Sequence, residues 1–157
     1  GPWKVSFDTA YRGPAQPVVF ETLTDWSKSG NDSIRYYSGT AVYHKTFTID
    51  QLPKGQQLFL NLGAVQVMAH VKLNGKDVGG IWTNPWRVNI TNALKQGENK
   101  LEISVVNLWV NRMIGDSRLP KDERKTWASI EPYHPDSPLQ PSGLTGPVTI
   151  QAVKYAE

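Results

Sequence analysis

"VQVMAHVKLNGKDVGG", residues 65–80, decides the fold. Up to Leu73 the side chains alternate: Val65, Val67, Ala69, Val71 and Leu73 go one way, and Gln66, Met68, His70 and Lys72 the other. A period of two is that of a strand with one face on a core and one in water. Asn74-Gly75 then offers the dipeptide preferred in a two-residue type I′ turn, where both central residues take positive φ. The stretch therefore predicts an antiparallel hairpin.

The same device recurs on either side. "AVYHKTFTI", residues 41–49, sets Ala41, Tyr43, Lys45, Phe47 and Ile49 against Val42, His44, Thr46 and Thr48. "LEISVV" repeats it with Leu101, Ile103 and Val105, and Trp3, Val5 and Phe7 open the chain in the same pattern. One helical stretch is expected, "ITNALKQGEN", with Thr91 as its cap, a turn through Leu94 and Gly97 as its stop. Short strands divided by turn signals predict an all-β sandwich. The tryptophans, prolines and 13 glycines, with no cysteine, favour a jelly roll over an immunoglobulin domain.

Two stretches stand outside the pattern. Residues 21–39, "ETLTDWSKSGNDSIRYYSG", are polar, aromatic and glycine-punctuated. Residues 108–147 hold six of the 11 prolines. Long aperiodic segments in compact domains are usually functional or packed on a partner. The chain resumes strand character at "GPVTIQAV".

The 157 residues suffice for one domain that buries roughly 70% of its unfolded surface. The 17 basic and 14 acidic side chains are dispersed, and the densest run, Lys121-Asp122-Glu123-Arg124-Lys125, nearly cancels. A nucleic-acid partner is not expected, because that would need a one-sided basic stripe. No apolar run approaches the ~18 residues of a membrane span. The absence of cysteine removes disulfides, thiolate catalysis and cysteine-bound metal.

"GTAVYHKTF", "LFLNLGAVQVMAHVKLNGKDVG" and "NPWRVNITNALKQGENKLEISVVN" resemble the sugar-binding jelly-roll domain of family 2 glycoside hydrolases. The matching motifs run from Tyr43 to Phe47, from Val71 to Gly75 and from Gly97 to Leu101. Asn89 stands where that family usually has Asp. The flanks "GPWKVSFD", "FETLTDWSKS", "RYYSGTAVY", "NLWVNRMIGDSRLP" and "SGLTGPVTI" resemble the carboxy-terminal module of the large bacterial α-L-rhamnosidases, glycoside hydrolase family 106. The resemblance implies a galactose-binding-like jelly-roll β-sandwich with long loops and at most one short helix. It implies one sandwich over residues 1–157, a piece of a larger secreted or periplasmic enzyme whose catalytic carboxylates lie in a separate barrel. The partners so implied are that catalytic domain, in the same polypeptide, and rhamnose-containing or other plant glycans.

No catalytic residue is assigned in the chain. Glycoside hydrolysis needs two carboxyl groups about 5–10 Å apart across a cleft, and no spacing singles out such a pair. His44, His70 and His134 show no metal-ligand spacing; strand positions on a polar face are expected for the first two. No cofactor is required. A structural calcium on loop oxygens, of the kind galactose-binding-like sandwiches often hold, would draw on Asp8, Asp25, Asp32 or Asp116.

Carbohydrate or interface contact is expected from aromatic and amide side chains, since a sugar's C–H face stacks on an indole while amides and guanidinium bond its hydroxyls. "WTNPWR" supplies Trp82, Asn84 and Arg87, with Trp86 assigned to the core beside Val88 and Ile90. "NLWVNR" and the residues after it supply Asn107, Trp109, Asn111, Arg112 and Asp116. Trp82 and Trp109 stand open between ligand platform, domain interface and packing. Residues 107–119 are expected to line a surface on the catalytic domain or its substrate, with Asn111 and Arg112 as polar anchors. The alternative is that Arg112 pairs internally with Asp116 and braces the loop.

Overall fold

The computed structural model describes residues 1–154; residues 155–157, within the expected sandwich, lie outside the described residues. Eleven strands form two antiparallel layers. They are β1 (Trp3–Phe7), β2 (Val18–Phe20), β3 (Thr40–Ile49), β4 (Gln57–Asn61), β5 (Val65–Gln66), β6 (Met68–Leu73), β7 (Lys76–Ile81), β8 (Arg87–Asn89), β9 (Gly97–Val106), β10 (Gly143–Leu144) and β11 (Thr149–Val153). One layer is the sheet β2-β1-β3-β9-β6-β7; the facing strands are β11-β4-β8 and the pair β10-β5. The all-β sandwich expected from the alternation is the fold observed.

The register explains the alternation. Tyr43 lies opposite Ile103, which lies opposite Val71; Ala41 lies opposite Val105, which lies opposite Ala69. These inward residues are buried, and they meet Leu58, Leu60, Leu62, Val88 and Ile90 from the second layer in one core. Each apolar side chain so buried contributes roughly 1.5–3 kcal/mol relative to exposure.

Two local expectations are corrected. Val67, expected inside with Val65 and Ala69, is exposed. The chain changes sheets there, since β5 pairs with β10 while β6 pairs with β9, and the alternation breaks at the crossing. The helix expected from Thr91 is a single turn, in which the Ile90 carbonyl accepts from Ala93 and Leu94. Thr91 does not cap it, because its hydroxyl instead accepts the Leu58 amide at 2.8 Å across the layer. Among the described residues the α-helices lie elsewhere and are two, α1 (Asp32–Arg35) and α2 (Val110–Ser117), so "at most one" undercounts them. Short 3-10 turns occur at Thr9–Tyr11, Trp26–Lys28 and Lys121–Glu123.

The aperiodic segments fold over the sandwich around a buried aromatic group. Trp26, fully buried, stacks on Tyr43 with 6.3 Å between ring centroids and 11° between planes, and meets Phe7 and Tyr37 edge-on. Its indole N–H donates to the Tyr43 hydroxyl at 2.7 Å, which also accepts the Leu144 amide at 3.2 Å. Gly143, at φ +93°, lets the returning chain lie against the Trp26 ring, where a Cβ would collide with the indole.

Two outcomes are expected. Asn74 and Gly75 have φ of 55° and 78°, as the type I′ turn requires, and nothing crowds Gly75. Gly75→Val should therefore lower stability by roughly 1–2 kcal/mol through backbone conformation alone, measured by thermal or urea unfolding. Burial raises the Tyr43 phenol to about 12. Below pH 10 it is protonated in both states; above that, the unfolded chain loses the proton first. Stability should fall between pH 10 and 12 for this reason, by roughly 2–3 kcal/mol. Tyr43→Phe, less stable at neutral pH, should show a shallower alkaline decline in the same titration.

Candidate functional site

The stretch after β9 is built from polar residues that face inward. Asn107 accepts from the Gly39 amide at 2.9 Å and donates to the Tyr37 carbonyl at 2.8 Å. The Ser38 hydroxyl donates to the Leu108 carbonyl and accepts the Arg112 amide. One turn on, Asn111 donates to the Gln140 carbonyl at 2.7 Å and accepts the Gln140 amide at 2.8 Å. Asp116 Oδ2 accepts from the amides of Lys125 and Thr126 and from the Thr126 hydroxyl, at 2.7–2.9 Å. Three polar side chains thus fasten three otherwise aperiodic segments, at residues 37–39, 140 and 125–126.

Arg112 completes the set. Its Nε stands 2.9 Å from Asp116 Oδ1 but off the angle of a hydrogen bond, so the contact is an ion pair. The side chains are 5% and 1% exposed. Burial pulls the Arg112 guanidinium below its usual range, the Asp116 carboxylate opposes this, and the nearby Arg12 guanidinium adds to the lowering. Gly115 is required here, since a Cβ would strike Tyr36 and the Arg112 guanidinium.

Four of the eight expected contact residues, Asn107, Asn111, Arg112 and Asp116, are therefore internal. The role of surface anchors expected for Asn111 and Arg112 is corrected: their polar atoms are engaged inside the domain, and Arg112 braces against Asp116. The other four face outward. Trp82 is 69% exposed on the β7–β8 connection, Asn84 is exposed there too, and Arg87, which opens β8, is exposed over the Phe59 ring. Trp109 is 46% exposed and packs edge-on against Tyr11, which follows β1. Trp82 and Trp109 thus stand on different connections, the first after β7 and the second after β9.

The aspartates named for calcium have other uses. Asp8 and Asp25 accept from amides at the starts of two 3-10 turns, and Asp32 pairs with Arg35. Among the described residues no three His, Cys, Asp or Glu side chains converge on one point. Asn89 accepts the Thr91 amide and donates to Gln57. His44 is exposed, and His70 lies 3.0 Å from Asp77 at the surface. Among the described residues no helix is long and apolar enough to cross a membrane.

The glycosyl hydrolase 2 galactose-binding domain-like family matches residues 25–134. The chain belongs to that family. A putative β-glucuronidase of Formosa agariphila is 40% identical to this family member over 98% of the chain, which corresponds to 15% of that protein. The structure of a rhamnosidase from Novosphingobium sp. PP1Y superposes with a TM-score of 0.88 at 40% identity, covering 96% of this chain and 14% of the rhamnosidase. A β-glucuronidase of an uncultured Clostridium sp. shares the fold at a TM-score of 0.57 and 23% identity. The chain thus spans about one seventh of the length of the relatives it matches at 40% identity.

Removing one member of the buried pair leaves the other charge without compensation, which costs about 3–5 kcal/mol. Arg112→Met should lower unfolding stability by that order. Adding Asp116→Asn, which keeps an acceptor for Lys125 and Thr126 but removes the charge, should recover part of the loss in urea denaturation. An unchanged midpoint for Arg112→Met would mean that the pair is not buried as described.

Proposed function

We propose that this chain is a non-catalytic accessory module of a larger α-L-rhamnosidase-type glycoside hydrolase of family 106. On this reading it packs against the catalytic domain and assists recognition of rhamnose-containing glycans, in a secreted or periplasmic enzyme. The observation that carries the reading is the match to the rhamnosidase, in which sequence and fold agree along 96% of this chain while occupying 14% of the other. The named relatives differ in their sugars; the rhamnosidase is favoured because its agreement is in both sequence and coordinates.

The side chains support an accessory role. The buried amides and Asp116 are consumed in fastening loops, and Asp116, the one acid of α2, is also paired to Arg112. The exposed Trp82 and Trp109 offer apolar area for a neighbouring domain. A bound calcium, if the parent enzyme carries one on this module, would draw on loop carbonyl oxygens as much as on carboxylates. A second reading, an autonomous carbohydrate-binding module, draws on Trp82, Asn84 and Arg87 standing exposed between β7 and the start of β8.

Incubated with aryl α-L-rhamnosides, the chain alone should give no turnover; hydrolysis abolished by a single carboxylate substitution would overturn the accessory reading. Calorimetry separates the two binding roles. An accessory module should bind rhamnose-containing glycans at about millimolar Kd or weaker, about 4 kcal/mol, whereas micromolar binding by the chain alone would establish the autonomous module.

A further inference from the structure

The segment after α2 builds a cleft that none of the expected site residues except Asp116 touches. Asp116 closes its floor, and Lys125 and Thr126 are tied down on that carboxylate, so the wall starting there is fixed by three hydrogen bonds. Arg124 fixes the other side, donating to the Leu119 carbonyl at 3.0 Å and pairing with Glu131 at 2.7 Å. Between them lies a space of about 410 Å³, within the range of small-ligand sites. Its lining mixes Met113, Trp127 and Tyr133 with Lys121, Ser117 and Ser129.

Trp127 is the most exposed tryptophan of the chain, at 87%. A buried scaffold thus holds an indole out into water beside a cleft lined by hydroxyls and an exposed lysine. An indole gives a pyranose ring an apolar face on which to stack. The hydroxyls can donate or accept, and the ammonium donates without accepting. Asp116 and Glu131 already face arginine partners, so Lys121 is the lining charge with no carboxylate partner among the described residues.

We propose that this cleft is a glycan subsite for one or two pyranose rings, with Trp127 as the stacking platform and Lys121 placed for a ring carboxylate. The proposal rests on reading the chain as a glycoside hydrolase module, and it assigns to that module a cleft that neither Trp82 nor Trp109 lines. The aromatic signal was present in "KTWASIEPY", but without a strand or helix period nothing in the sequence tied Trp127 to α2.

The test uses oligosaccharides of alternating rhamnose and galacturonic acid, titrated to tens of millimolar into the isotopically labelled chain. The chain has six tryptophans and hence six indole N–H resonances. The expected result is that the Trp127 signal shifts saturably while those of Trp82 and Trp109 hold. Trp127→Ala, at so exposed a position, should fold normally and raise Kd at least tenfold. Lys121→Ala should raise it several-fold, and less so for the sugar with its carboxylates reduced. If no indole signal moves, or if only Trp82 or Trp109 responds, the subsite is overturned. Neither failure touches the accessory reading, which stands or falls on turnover and on the strength of binding.

Discussion

The hydroxyl of Tyr43 is the point on which the architecture depends. It lies in the middle of β3, at the centre of the large sheet, and accepts hydrogen bonds from the Trp26 indole and the Leu144 amide. Those donors belong to the two stretches of chain that lack strand periodicity. A sandwich of alternating strands closes its own core, but it has no intrinsic reason to order residues 21–39 or 108–147. Inside a low-dielectric core each such bond is stronger than in water, and leaving either donor unmade would cost about 1–3 kcal/mol. Tyr43 therefore converts a position of the core into an anchor for loops. Leucine or phenylalanine there would fill space without doing so.

Helix α2 extends the same logic. A surface helix normally turns an apolar stripe inward and its polar side chains outward. Here Asn111, Arg112 and Asp116 are buried together with Ile114, while Met113 is half-buried and Trp109, just before the helix, is half-exposed. Polar side chains are tolerated inside because each has a partner: Gln140 for Asn111, residues 125 and 126 for Asp116, and Asp116 itself for Arg112.

What the sequence made legible follows from this. Strand pairing depends on local alternation, and Tyr43, Ile103, Val71, Ala69 and Val105 are all legible as one inward face. Asn74-Gly75 was equally readable, because its turn is set by two residues. Val67 was misread since a crossing between sheets leaves no local mark. Helix α2 is not legible in this way, because apolar periodicity seeks an apolar inward stripe and here Ile114 is buried among an amide and two charged side chains. The polar cluster at residues 107–116 was noticed, yet its direction was inverted. Six residues rich in amides look like a surface unless the segments they fasten are known to be adjacent, and residues 37–39, 125–126 and 140 are tens of positions away or separated by proline-rich chain.

That inversion bears on how such a module can serve an enzyme. Polar atoms consumed in fastening cannot also bind a substrate, since a group leaving a satisfied bond must recover the whole of it elsewhere. On the proposed reading, recognition would fall to side chains that the fasteners position but do not use, the exposed aromatics. A stacking contact of that kind is weak alone. Within one polypeptide it need not be strong, because tethering sets the effective concentration of a short-linked partner in the millimolar range. An affinity too slight to hold a free glycan is then enough to bias where a chain already engaged by a neighbouring catalytic domain will lie. On that reading the buried polar cluster and the exposed indoles act together: the first fastens the loops, and fastened loops are what would let a weak surface matter.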